Sequence, residues 1–160
     1  MKYLNIILLF VLPLTISAKD PYPKNPKIDI LNYSFELHLN DDNDIIKGNA
    51  NINLHISPNE ENVRLDLISI NKEGRGMEVH SVLFNGEEIP YSHVDNVLNI
   101  SVSDKNFNIS DVISIKYSGV PITGLIIGDN MHGDRTFFSD NWPNKARNWL
   151  PLVDHPYDKA

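Results

Sequence analysis

This sequence predicts an all-β fold, an antiparallel β-sandwich, and three observations predict it. Apolar and polar residues alternate over long stretches, most strictly from Ile46 to Ile56, the period-two pattern of half-buried strands. Turn signals rich in Asn, Asp, Gly and Pro break the alternation at short, even intervals, the rhythm of sandwiches rather than of βαβ units. Beyond the first residues, no stretch sustains an apolar period near 3.6, so no amphipathic helix is expected.

The elements follow in order. Lys19 to Lys27 carries Pro21, Pro23 and Pro26 and reads as an extended lead-in, because proline removes backbone donors and disfavours helix before it. From Asp29 to Leu39, Tyr33, Phe35, Leu37 and Leu39 face one way and Asn32, Ser34, Glu36 and His38 the other. After the polar turn Asn40–Asp44, the Ile46–Ile56 strand should pair with the first as a hairpin. Pro58–Asn62 turns the chain into a strand beginning at Val63, Leu65 and Leu67 and reaching about Ile70. Gly74 and Gly76 mark a loop. Met77–Phe84 is a strand, and Asn85-Gly86 is a strong two-residue hairpin signal. Glu87–Tyr91 should return as one short strand, at an edge because of Pro90. Val97–Val102 is a further strand, Ser103–Asp111 a polar loop, and Val112–Tyr117 a strand ended by Gly119-Val120-Pro121. Gly119–Gly133, with four glycines, reads as a loop leading to the final segment. The count is about seven strands.

The composition bounds the function. With 160 residues there is room for one domain with a sizeable core. Hydrophobic residues make up 41% and charged residues 22%, which excludes a wholly disordered chain and a multi-span membrane protein. The net charge of -7 argues against nucleic acid, whose affinity comes from Lys and Arg on phosphates. The absence of cysteine removes disulfides, thiolate zinc sites and cysteine nucleophiles. Residues 1–18 read as a signal peptide: Lys2 is the positive n-region, Leu4–Ile16 the apolar core, and Ser17-Ala18 the small residues before the cut. That core is shorter than the roughly 20 residues a membrane span needs. The expected mature chain, 19–160, is therefore secreted or periplasmic, with no membrane span after signal cleavage.

Most chemistry-bearing residues have bland explanations. No two of the six histidines are four residues apart, so the helical zinc pair is missing. His38 and His80 fall on polar strand faces. His132-Gly133-Asp134 sits in a glycine-rich stretch without a third ligand. Asp41, Asp42, Asp44, Glu60 and Glu61 belong to turns. No nucleophile elbow, phosphate loop or dinucleotide fingerprint occurs.

The final segment differs. Phe137–Ala160 holds both tryptophans, three prolines and the group Asp154, His155, Asp158 and Lys159, without a simple period. A bidentate pair between Arg147 and Asp154 is expected to pin it, and Trp142 and Trp149 are expected to pack rather than stack on a ligand. It stops at Lys159-Ala160 with no polar tail after it, which predicts a motif that continues beyond this sequence. Residues 134–160 are read as a closing segment that packs on another domain.

Arg147–Ala160, RNWLPLVDHPYDKA, resembles the R-x-W-x-P-x-x-D-x-P-x-x-K-A element closing the N-terminal domain of the aminopeptidase N family of zinc metallopeptidases. Arg147, Trp149, Asp154, Pro156 and Lys159 carry that match. FFSDNWPNKAR, YSGVPITGL (Tyr117–Leu125) and YPKNPKIDILNYSFELHL resemble family sequences at corresponding places, and the wording is most similar to secreted bacterial members. The resemblance implies a saddle-shaped β-sandwich capping the cleft of a catalytic domain. It also implies zinc and a peptide substrate for the complete enzyme. The family's H-E-x-x-H and G-x-M-E-N stretches follow the closing element and are not in this sequence, so this chain alone is expected to be inactive, with no catalytic residue and no metal ligand of its own. The family also lends one Gln or Glu to the substrate's ammonium. That position is held here by Trp142, with Asp140 two residues earlier as the candidate replacement. The alternative is a secreted, non-enzymatic β-sandwich module that binds peptides or a partner protein.

Overall fold

A computed structural model describes residues 20–103, 105, 108 and 111–158. The signal-peptide reading of residues 1–18 and Lys159 of the closing motif fall outside them. Ten strands run through the described residues: β1 (Ile28–His38), β2 (Ile46–Ile56), β3 (Asn62–Asp66), β4 (Gly76–Phe84), β5 (Glu87–Glu88), β6 (Tyr91–Val94), β7 (Val97–Ser101), β8 (Val112–Val120), β9 (Leu125–Asp129) and β10 (Arg135–Ser139). The one helical element among them is a 3-10 turn, Ala146–Asn148. No helix among the described residues is long and apolar enough to cross a membrane. The strands form a five-stranded antiparallel sheet in the order β1-β2-β8-β4-β5, a three-stranded sheet β3-β7-β6, and a two-stranded sheet β10-β9.

One hydrophobic core joins the two larger sheets. In β2 every second residue from Ile46 to Ile56 is buried. Ile113, Ile115 and Tyr117 of β8, Met77, Val79, Val82 and Phe84 of β4, Val63 and Leu65 of β3, and Leu98 and Ile100 of β7 complete it. β1 pairs with β2 as expected, Phe35 opposite Ala50. Two bulges settle conflicts of parity in the sequence. Ile28 and Ile30 lie out of step with Tyr33 and Phe35, and the register shifts between Ile30 and Asn32. Met77 and Val79 lie out of step with Val82 and Phe84, and β4 bulges between Val79 and Ser81, with His80 as the extra residue.

Three expectations are corrected. Glu87–Tyr91 is not one strand: β5 pairs with β4, β6 pairs with β7, and Pro90 lies at the crossing between sheets. Proline cannot donate to a ladder, so pairing ends there. The turn after β6, Asp95-Asn96, has positive φ at both residues, a hairpin that the sequence reading passed over. The strand from Val63 stops at Asp66 instead of Ile70, because the Ile68 amide donates to Arg147 O and Ser69 bridges Met77. Gly119–Gly133 is not an open loop. Gly119 is in β8, and Leu125-Ile126-Ile127 pairs with Phe137, Phe138 and Ser139. The connection is tightened by the Asn130 side chain, which accepts the amides of His132 and Asp134, with Gly133 at φ 85. His132-Gly133-Asp134 is thus a hairpin turn.

Candidate functional site

The closing segment is anchored by a buried carboxylate that sequence reasoning missed. Asp66 ends β3 and is 1% exposed. Its backbone exchanges hydrogen bonds with Leu152 (2.8 and 3.2 Å), so the chain after Pro151 adds briefly to the edge of the three-stranded sheet. Asp66 Oδ2 accepts the Tyr22 hydroxyl and the Asp154 amide (3.1 Å). Arg64 Nη1 lies 2.9 Å from Oδ1 but directs its N–H to the Tyr22 oxygen (3.2 Å), so its hold on Oδ1 is electrostatic rather than a hydrogen bond. Arg147 Nη2 stands 3.7 Å from Oδ2. Burial, together with the Asp66 carboxylate as its hydrogen-bond partner, pushes the Tyr22 hydroxyl's pKa far up, so Tyr22 stays a donor. The sequence did carry a signal: Asp66 is an acidic residue inside the apolar run Val63–Ile68, two residues from Arg64 on the same strand face.

Arg147 and Asp154 do pair, in a different geometry from the fork expected. Nε donates to Asp154 Oδ2 (3.0 Å), the Arg147 amide donates to the same oxygen (3.2 Å), and Nη2 donates to the Asp154 carbonyl (2.9 Å). Backbone and side chain of both residues are locked together, which fixes the 3-10 turn against the loop after it. Val153 donates its amide to the Tyr33 hydroxyl (2.9 Å), tying the same loop to the large sheet. The lead-in clamps from outside. Tyr22 stacks on His155 at 4.5 Å, and His155 lies 3.3 Å from Asp20. A cleft of about 490 Å³ lies between the lead-in and the segment, lined by Tyr22, Arg64, Pro143, Arg147 and His155 among others.

The two tryptophans part company. Trp149 is buried and donates from Nε1 to Asn141 Oδ1 (3.0 Å), as a packing residue should. Trp142 is 80% exposed, which corrects the packing expectation: Pro143 and the turn after it carry the chain toward Trp149, and no described element covers the first indole. Phe138 and Ile126 form a cross-strand pair on the β9–β10 hairpin, 63% and 53% exposed. Met131 is also exposed at the hairpin tip. An apolar strip so open is the kind of surface that marks an interaction site. Pro156 is exposed beyond Asp154.

Asp140 stands next to this strip. Lys145 Nζ binds its Oδ2 at 2.8 Å, and its amide donates to Gly124 O (2.8 Å). The Lys145 hydrogen bond and charge, helped by the Trp142 amide, hold its carboxyl below the usual carboxylate range, so it is an anion at neutral pH. Among the described residues no group of three or more His, Asp or Glu is placed to hold a metal ion.

Gly124 is the hinge on which the strip meets the closing segment. Its φ is 83°, and a Cβ there would lie 2.4 Å from Lys145 O and 3.2 Å from Trp149 Cδ1. Gly124→Ala is expected to lower stability by about 2 kcal/mol through strain and overpacking and to change the environment of Trp149. Denaturant unfolding followed by tryptophan fluorescence checks both; an unaltered midpoint would show that the contact is soft.

No protein-family model matches the chain, and no curated protein does. Solved structures do share its fold. The M1 zinc metallopeptidase from Deinococcus radiodurans superposes with a TM-score of 0.64 at 19% identity, over 82% of this chain and 30% of that one. A mutant of that enzyme bound to a Tyr-Ser-Ala substrate gives 0.61 at 17% identity, over 83% and 31%. Yeast LTA4 hydrolase in complex with bestatin gives 0.69 at 17% identity, over 93% and 26%. The chain has the fold of one part of these peptidases and spans less than a third of the length of each.

Proposed function

We propose that this chain is the N-terminal β-sandwich domain of a secreted or periplasmic zinc-dependent aminopeptidase, covering the cleft of a catalytic domain carried by the same polypeptide. The exposure of the apolar side chains Ile126, Phe138 and Trp142 is the observation that carries this reading. These residues flank a segment bonded firmly to the sandwich, and a second body packed there would bury them. The fold shared with zinc metallopeptidases supports the kind of body, and the closing motif resembles that family's. Zinc and the chemistry of peptide hydrolysis belong to the catalytic domain, where a bound zinc would activate water against the scissile carbonyl. This chain supplies walls and one charge. Asp140, ionised and at the margin of the strip, pairs with the ammonium of a peptide's first residue. Lys145 does not exhaust it, since a carboxylate has about four lone-pair sites.

The test is the polypeptide as the producing cell makes it. A species much larger than this chain, beginning at Lys19 and hydrolysing aminoacyl p-nitroanilides until a zinc chelator stops it, is the expected result. In that protein Asp140→Ala should raise KM about tenfold and leave kcat within a few-fold, as loss of an ion pair to the bound ammonium does. A mature protein no longer than this chain would overturn the enzyme reading and leave a binding module. An unchanged KM would remove Asp140 from the site.

A further inference from the structure

The outer face of the five-stranded sheet holds a second groove, far in sequence from the closing segment. It has a volume of about 450 Å³ and is floored by β2 and β8, with β1 and β4 at its sides. Two of its floor residues are Lys47 and Lys116. Among the described residues, most cations are spoken for: seven sit in ion pairs with carboxylates, and Arg75 donates to two carbonyls. Lys47, Lys72 and Lys116 are the ones with neither, and two of the three share this groove. In a protein of net charge -7, two lysines without ion pairs in one groove are a placement that asks for an anion.

The register puts them within reach of one group. Asn49 faces Lys116, and Lys47 faces Ser118, so the lysines are diagonal neighbours, about 7 Å apart at their Cβ atoms. Two flexible stems of that spacing are long enough to reach a single carboxylate or phosphate. The rest of the lining has a different chemistry. Glu36 lies opposite Asn49 on β1, exposed and near His38 (3.7 Å). Asn49 Oδ1 is buried and has no hydrogen-bond partner. Its neighbours one and two steps along the same face are satisfied: Asn51 accepts the Ser114 hydroxyl (2.7 Å), and Asn53 donates to Asp111 O (3.2 Å). Only the groove end of the Asn row lacks a partner, and an unpaired buried acceptor costs about 1–3 kcal/mol until a donor reaches it. His80 and Ser118, bonded to each other at 2.7 Å, close the β4 side.

We infer that this groove binds a hydroxylated oxyanion of the sugar-acid class. Lys47 and Lys116 hold the charged group, Glu36 accepts one hydroxyl, and Asn49 accepts another once its covered Oδ1 turns into the groove. This site is independent of the peptidase reading and does not involve the closing segment.

The experiment is a two-dimensional amide NMR titration of the chain with glucuronate, with glucose as the neutral control and inorganic phosphate as the bare anion. Glucuronate should shift the Lys47, Asn49 and Lys116 signals saturably, and glucose at least tenfold more weakly. Lys47→Ala and Lys116→Ala should each weaken binding about fivefold, while Lys72→Ala, an unpaired cation outside the groove, stays within twofold. Asn49→Ala should weaken glucuronate and leave phosphate unchanged. Titration with glucose 6-phosphate then separates a carboxylate from a phosphate ligand by which binds more tightly. The proposal falls if no signal saturates, if glucose binds as well as glucuronate, if Lys72→Ala costs as much as the groove lysines, or if phosphate alone matches glucuronate in both the parent and the Asn49 variant.

Discussion

Asp66→Ala is expected to lower the unfolding free energy by about 3–5 kcal/mol, a large share of the roughly 5–15 kcal/mol available to a domain of this kind. The carboxylate is the one group facing the Tyr22 hydroxyl, the Asp154 amide, Arg64 and Arg147 together. Its removal costs little as lost apolar contact, because an aspartate side chain has one methylene. The damage lies in what remains. Two guanidinium groups, 31% and 23% exposed at the side chain, lose their shared counter-charge, and two half-buried donors lose their acceptor. Asp66→Asn keeps the shape and one acceptor oxygen, so it should cost less, about 1–3 kcal/mol. The order Ala worse than Asn is therefore part of the prediction. Urea unfolding of both variants decides it. Equal losses would mean that shape matters and charge does not; a loss below 1 kcal/mol in the alanine variant would mean that the hub is decorative. Native-state hydrogen exchange adds location: the Leu152 and Asp154 amides, both bonded to Asp66, should open first, while the β2 and β8 ladders stay protected.

The hub also shows where a sequence stops being readable. Alternation depends on neighbours two apart, so β2 could be placed residue by residue, and the Asn85-Gly86 hairpin from two letters. The parity conflicts at Ile30/Tyr33 and Val79/Val82 were passed over by a reading that took the first strand as strictly alternating, and each became a bulge. The β9–β10 hairpin was hidden because its strands are five residues long and its glycines outweighed the short apolar run Leu125-Ile126-Ile127. The site is a harder case. The Arg147–Asp154 pair spans seven residues and could be anticipated. The hydrogen bonds of Asp66 reach 44 residues back to Tyr22 and 88 forward to Asp154, and no local pattern encodes such a meeting. Trp142 and Trp149 look alike in the sequence, yet one is core and the other bare, because burial depends on what the fold brings over each ring. The closing motif resembled a peptidase family before any fold was in view, and the fold is one that zinc metallopeptidases contain.

Gly48→Ala should be nearly as damaging as the loss of Asp66, for the opposite reason. Gly48 faces the core in β2 and pairs with Tyr117 of β8. The Tyr117 ring lies across the missing side chain: a Cβ at Gly48 would fall 2.1 Å from Tyr117 Cζ and 2.5 Å from its hydroxyl. The ring is 1% exposed and cannot swing out without opening the core, so the strand or the ring must shift. A single added methyl in a close-packed interior costs typically about 1–3 kcal/mol, and a contact this short puts the expected loss at the top of that range. The gain in strand propensity from glycine to alanine, below about 1 kcal/mol, does not offset it. Tyr117 itself gives the control. Its hydroxyl is buried without a hydrogen-bond partner, and burial pushes its pKa far up. Tyr117→Phe removes a polar group that gains nothing from its site, so it should be neutral or stabilising by about 1 kcal/mol. Tyr117→Leu should destabilise the parent by leaving a cavity but should recover much of the loss in the Gly48→Ala background, where the added methyl fills part of that space. Thermal and urea unfolding of the four-protein cycle measures the coupling directly. Additive losses at the two positions would mean that ring and glycine do not share the space the structure gives them.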